Sequence, residues 1–199
     1  MKIKSPLAIA ALSLLSAVYM FATLVAITVM SGNPLPAFAQ ENTAAPKDPP
    51  HSQNAAPLDK KFVMEASQAG NAEVDAGNMA LRKASSAEVK AFAQKMVDDH
   101  SKAGNDLTSA ANKAGLTPSK DTPPAYKSVA SNLAALNGKA FDKAYVNQQL
   151  DEHRKAVALF KEESAKGGNL DLKEFATRTL PTLEMHLKHV EGVKSAKGF

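Results

Sequence analysis

Residues Lys90–Gly104 read KAFAQKMVDDHSKAG. They form the middle of a longer helical pattern whose apolar positions are Val89, Phe92, Met96, Ala103, Leu107, Ala110 and Ala114, stepping by three and four as one face of an α-helix does. His100 takes the step between Met96 and Ala103 and so puts an imidazole inside the stripe expected to be buried. Three further helical patterns are interrupted once each in the same way, by Glu73, His153 and His186.

Outward from that stretch, the chain reads as helices separated by turn signals, with no run that reads as a strand. A first helix from about Asp59 to Ala84 carries Phe62, Ala66, Ala69, Glu73, Ala76 and Ala80 on one face, with Asp59 as its N-cap. Gly70 and Gly77 each cost about 1 kcal/mol inside a helix, and close approach of a neighbouring backbone is the expected compensation. Ser85-Ser86-Ala87-Glu88 reads as a capping box that starts the second helix, which runs to about Ala114 and stops at Gly115. Pro123-Pro124 opens a short helix through about Leu136, and Asn137-Gly138 breaks it. A third long helix, Lys139 to about Lys166, carries Val146, Leu150, His153, Val157 and Phe160. Gly167-Gly168 ends it, and Asp171 to Glu174 caps a fourth, with Phe175, Leu183, His186, Val190 and Val193 on its inner face and a kink expected at Pro181.

The pattern predicts an all-α fold, an antiparallel four-helix bundle with a short extra helix in the central connection. An elongated three-helix stalk is the alternative, and it would leave one apolar face uncovered. Helical rise places all four interrupting residues at mid-height, about 18 to 27 Å from the nearest joint. One carboxylate and three imidazoles in one layer have the outline of a transition-metal site for zinc, iron, manganese or copper, with Glu73, His100, His153 and His186 as ligands. Asp99, Asp151, Glu152 and Glu184 are candidate outer partners or additional ligands. The competing reading is a polar layer that fixes helix register without any metal, a carboxylate pairing with a histidine on the next helix. Met64, Met79, Met96 and Met185 read as core filling.

Composition narrows the function. The 199-residue chain has 44% hydrophobic residues, no cysteine and a net charge of +4. Lys2 and Lys4 account for two of its 24 basic residues, so the remainder is close to neutral and evenly mixed, which excludes a nucleic-acid-binding face. Residues 1–39 read as a signal peptide: a positive start, an uncharged run from Leu7 to Met30, and Ala37-Phe38-Ala39 before Gln40. The uncharged run is also long enough to cross a bilayer, so a retained inner-membrane anchor is the alternative, and only then would the membrane be a partner. Either way the folded part is expected outside the cytoplasm, in the periplasm. Residues 40–57 read as a disordered Pro/Ala-rich linker with a solvated His51, and residues 58–199 as the bundle domain.

Three stretches, FAQKMVDDHSKA, NGKAFDKAYVNQQLDEHRKAVALF and LKEFATRTLPTLEMHLKHV, resemble the bacterial exported family of unknown function called DUF four-one-four-two. The likeness covers about Leu58 to Val193. It implies a ferritin-like bundle, export and bacterial origin, and no settled activity. His100, His153 and His186 lie in the matching stretches and Glu73 in the matching AEV segment. Di-iron enzymes of the ferritin-like class place E-x-x-H on two helices, whereas Val97 and Leu183 stand three residues before His100 and His186 here. The leading functional expectation is therefore an exported binding protein with a transition metal in its mid-bundle layer. The alternatives are a metal-dependent oxidase or peroxide-consuming enzyme, and a structural envelope or stress protein with an envelope partner.

Overall fold

The computed structural model describes residues 55–199. The expected signal peptide or anchor (1–39) and most of the expected linker (40–57) lie outside the described residues. Five helices follow in order: α1 Pro57–Lys83, α2 Ala87–Lys113, α3 Pro124–Ala134, α4 Gly138–Lys166 and α5 Leu170–Lys197. No strand occurs among the described residues, and none of their helices is long and apolar enough to cross a membrane. The pairs α1–α2 and α4–α5 pack most extensively, and α1–α4 and α2–α5 close the ring. This is the four-helix bundle, not the three-helix stalk, with α3 in the central connection packed lightly on α1 and α4.

Helix ends follow local chemistry, with shifts of a few residues from the expected bounds. α1 starts at Pro57, before Asp59, because Asp59 acts from inside the first turn: its Oδ2 accepts from the Ala56 amide at 2.7 Å. Its Oδ1 accepts from the amides of Gly168 at 2.8 Å and Asn169 at 3.3 Å, tying the start of α1 to the joint between α4 and α5. The N-cap of α2 is Ser86, whose Oγ accepts from Val89 N, rather than Ser85. Ser85 is drawn instead to Asp142 of α4: its amide donates to Oδ1 at 2.9 Å and its hydroxyl to Oδ2 at 2.6 Å. Asn169, not Asp171, caps α5 through Leu172 N. α5 continues through Pro181, whose missing donor falls on an exposed side of the helix.

Two apolar clusters fill the bundle. One gathers Phe92, Met96, Phe141, Tyr145, Val146, Leu150 and Val190 with their neighbours. The other gathers Phe62, Val63, Leu107, Phe160, Phe175 and Leu183, with Phe62 and Phe160 edge to face at 5.0 Å. In every long helix the residue that interrupts the stripe falls between the two: Glu73 between Ala66 and Ala76, His100 between Met96 and Leu107, His153 between Leu150 and Val157, and His186 between Leu183 and Val190.

The two α1 glycines play different roles. A Cβ on Gly77 would come within 2.8 Å of Val97 Cγ2 and 3.1 Å of the Ala93 carbonyl, so there α2 does approach closely. A Cβ on Gly70 would meet nothing within 4 Å, because that position faces a cavity rather than a backbone. Met96 and Met79 pack into the core as expected, whereas Met64 and Met185 are exposed, each lying off the apolar stripe of its helix.

Candidate metal centre

The layer between the two apolar clusters brings three of the four expected residues together. One ring nitrogen each of His100, His153 and His186 lies within 4.8 Å of the others. The three rings are nearly equidistant, with centroids 5.6, 5.6 and 5.4 Å apart. His153 and His186 are each 1% exposed. His100 is half-buried as a whole residue, and its Nε2 is buried.

Hydrogen bonds to two of the rings decide which of their nitrogens carries the lone pair. His153 Nδ1 lies 2.9 Å from the backbone carbonyl of Gln149, an acceptor only, so Nδ1 carries the proton and Nε2 carries the lone pair. His186 Nε2 lies 2.8 Å from Asp99 Oδ2, so Nε2 carries the proton and Nδ1 the lone pair. His153 Nε2, His186 Nδ1 and His100 Nε2 are buried and lack a hydrogen-bond partner. Three such unpartnered ring nitrogens on adjacent histidines are unusual in a folded core, where buried polar atoms are nearly always satisfied.

The electrostatics keep these rings neutral. Burial, reinforced by the imidazoles of His153 and His186, pushes His100 down to about 3. Burial pushes His153 down to about 4, against the opposing bond to the Gln149 carbonyl. Burial also lowers His186, with Asp99 pulling the other way. Burial would raise Asp99, but hydrogen bonds from Lys95, at 2.8 Å, and from His186 outweigh it and hold the carboxyl below its usual range. A neutral imidazole with its lone pair turned inward and its N–H held by a carboxylate or a carbonyl is the state in which histidine binds a metal.

Glu73 is buried in the same layer but is not one of the grouped ligands. Its Oε2 accepts from Gln149 Nε2, because Gln149 of α4, one turn before His153, stands between the two helices at that point. Burial pushes Glu73 up to about 8, the Gln149 bond opposing and Glu152 adding to the rise. The carboxylic acid is therefore the stable form at neutral pH. Gln149, fully buried, links the two parts of the layer through its side chain to Glu73 and its carbonyl to His153. Of the candidate outer partners, only Asp99 touches a histidine of the group. Glu152 accepts from Tyr126 Oη at 3.3 Å and pairs with Lys155 at 2.8 Å, Glu184 pairs with Lys161 at 2.8 Å, and Asp151 is exposed.

A family model, Domain of unknown function (DUF4142), matches residues 44–193. The chain belongs to this family. Two solved structures share its fold. A DUF305 fragment from Deinococcus radiodurans superimposes with a TM-score of 0.64 at 15% identity, covering 72% of this chain and 99% of that one. A DUF305 protein from Streptomyces coelicolor gives 0.60 at 15% identity, covering 71% and 92%. No curated protein matches. At this identity the likeness concerns the helical fold alone.

Proposed function

We propose that the protein is an exported helical-bundle protein that binds one transition-metal ion through His100, His153 and His186. The observation that carries this reading is three adjacent histidines that bring one ring nitrogen each within 4.8 Å of one another, each ring also having a buried nitrogen without a partner and two of them held from behind in a metal-binding tautomer. Metal–nitrogen bonds of about 2.0–2.1 Å in a tetrahedral site set nitrogens about 3.4 Å apart. Each ring would close that difference by moving less than about 1 Å.

A site of three imidazoles suits zinc, copper or iron better than manganese, which favours oxygen ligands. Glu73, bonded to Gln149 and outside the group of three, is not counted in the proposed ligand set. The register-fixing reading pairs a carboxylate with a histidine on the next helix, as Asp99 does with His186, and leaves the unpartnered nitrogens of His100 and His153 without an account. Three protein ligands leave a fourth position, as in zinc sites that accept water or an exogenous ligand. Export rests on Lys2, Lys4, the uncharged run and Ala37-Phe38-Ala39.

Elemental analysis and thermal melting of the purified protein test the metal reading together. One equivalent of zinc or copper should be retained after dialysis and should raise the melting temperature, since a ligand bound only by the folded state stabilises it by mass action. Superimposed melting curves for chelated and metal-treated protein would leave a purely structural layer.

A further inference from the structure

A cavity of about 700 Å³ runs along α1, α2 and α5 and reaches His100 and His186. It is far larger than a coordinated water needs and falls within the range of small-molecule sites. Gly70 opens it. Gly70 and His100 each lie 15 residues from Ser85, on opposite sides of the α1–α2 joint, so they stand at the same height. The missing side chain at Gly70 leaves the space beside the imidazole clear.

Gly104, one turn further along α2, leaves the next part of the wall clear in the same way. The inner wall is apolar, built from Leu107, Phe160, Phe175 and Leu183. A strap through Thr117–Thr122 covers one side, and α1 holds it in place. Ser67 Oγ accepts from Ser119 N at 2.9 Å, Asn71 Nδ2 donates to the Ser119 carbonyl at 3.3 Å, and Gln68 Nε2 reaches Ser119 Oγ at 3.4 Å. The cavity is thus built into the fold. His186, 1% exposed, contributes to its wall, and its Nδ1 is buried without a partner.

Charge selects the occupant. Three imidazoles are neutral ligands, so a divalent ion in this layer keeps its full charge in a largely apolar surrounding, where an uncompensated charge is costly. Among the described residues Asp99 is the carboxylate that bonds to the group, and it also serves Lys95. At the rim, Asp75 and Lys120 offset each other. The remaining deficit is met by an anion at the fourth position, and the apolar wall suits an anion with a hydrophobic body.

We propose that a small monocarboxylate with an apolar body enters this cavity and completes the coordination of the metal held by His100, His153 and His186. This rests on the metal-binding reading. The experiment is visible spectroscopy of the purified protein loaded with cobalt(II), titrated with benzoate and, separately, azide. Cobalt stoichiometry is measured first by equilibrium dialysis. Bound cobalt whose d–d bands shift saturably with benzoate supports the proposal. Gly70→Leu adds a side chain on the cavity wall shared with His100, at a helical position where the added Cβ meets nothing within 4 Å. It should retain cobalt and weaken the benzoate response at least tenfold, and Gly104→Leu should weaken it in the same direction. Bound cobalt whose bands respond to azide but not benzoate, or to neither, would overturn the carboxylate proposal while leaving the metal centre intact. A benzoate response equal in wild type and both leucine variants would place the anion outside the cavity and also overturn it. Failure to bind cobalt at all would overturn the metal reading and this one with it.

Discussion

His186 Nε2 donates to Asp99 Oδ2 across 2.8 Å, from α5 to α2, and this contact leaves the lone pair on His186 Nδ1, buried and unpartnered in a ring packed against His100 and His153. Asp99 is partly exposed and shared with Lys95, so the bond is anchored at the edge of the layer rather than within it. In the metal-binding reading proposed above, Asp99 would position His186 by fixing its tautomer rather than ligate. Asp99→Asn is expected to keep one metal per chain and lower affinity by about 10- to 100-fold, the usual effect of losing a histidine's outer partner. Calorimetric titration of wild type and variant with zinc measures this, and equal affinities would remove Asp99 from the account.

The neutral histidines also set the acid side of stability. Their folded-state values lie below the ordinary 6.5, at about 3 for His100 and about 4 for His153. The folded state therefore binds fewer protons than the unfolded state below about pH 6.5, and stability falls as pH drops from there through the folded values. Metal-free wild type should lose melting temperature steadily over that range. His153→Leu, which places an apolar group of similar size between the clusters, should lose less, and parallel pH profiles would contradict the assignment.

Glu73 works in the opposite direction. Its folded value, about 8, is above the ordinary 4.5, so its contribution is fully present below 4.5 and is lost as pH rises toward 8. Glu163, buried near Asp59 and also raised to about 8, adds a second contribution of the same sign. Glu73→Gln keeps a neutral polar group opposite Gln149 and should melt above wild type at pH 9, by the equivalent of about 1 to 3 kcal/mol. Denaturant titrations at pH 5 and pH 9 check it: the difference should appear at the higher pH and shrink at the lower.

Asp142 provides a contrast that concerns the fold and not the site. It is 2% exposed and accepts from Ser85 N, Ser85 Oγ and Ser86 N, closing the α1–α2 joint onto α4. Asp142→Ala leaves those donors unpaired and should cost about 2 to 4 kcal/mol in urea unfolding. Zinc affinity of the folded fraction should stay within about twofold of wild type, and a large loss would mean that the joint and the layer are coupled.

The bundle was legible because four long stripes kept helical spacing and the turns were punctuated by Gly115, Asn137-Gly138 and Gly167-Gly168. The height of the three histidines followed from counting residues back from the joints, since helical rise is fixed. What the counting could not supply was the neighbour each residue meets. Glu73 reaches the correct layer but faces Gln149, and nothing in a one-helix stripe says which side chain of α4 stands opposite. Gln149 precedes His153 by four residues on the same buried face, and that spacing is the sequence signal for its place in the layer. The helix caps moved from Ser85 to Ser86 and from Asp171 to Asn169 because contacts from distant helices, Asp142 on Ser85 among them, decide between adjacent capping residues. The cavity beside Gly70 was hidden for the same reason: a glycine that admits a backbone and one that borders open space look alike in sequence.

The central claim is that three imidazole nitrogens hold one metal ion. X-ray absorption spectroscopy of the purified protein loaded with one equivalent of zinc addresses it directly. The expected spectrum has three nitrogen scatterers at about 2.0–2.1 Å with the multiple-scattering pattern of imidazole, plus one further light ligand. A coordination sphere made of oxygen alone, or zinc that washes out of the folded protein, would contradict it.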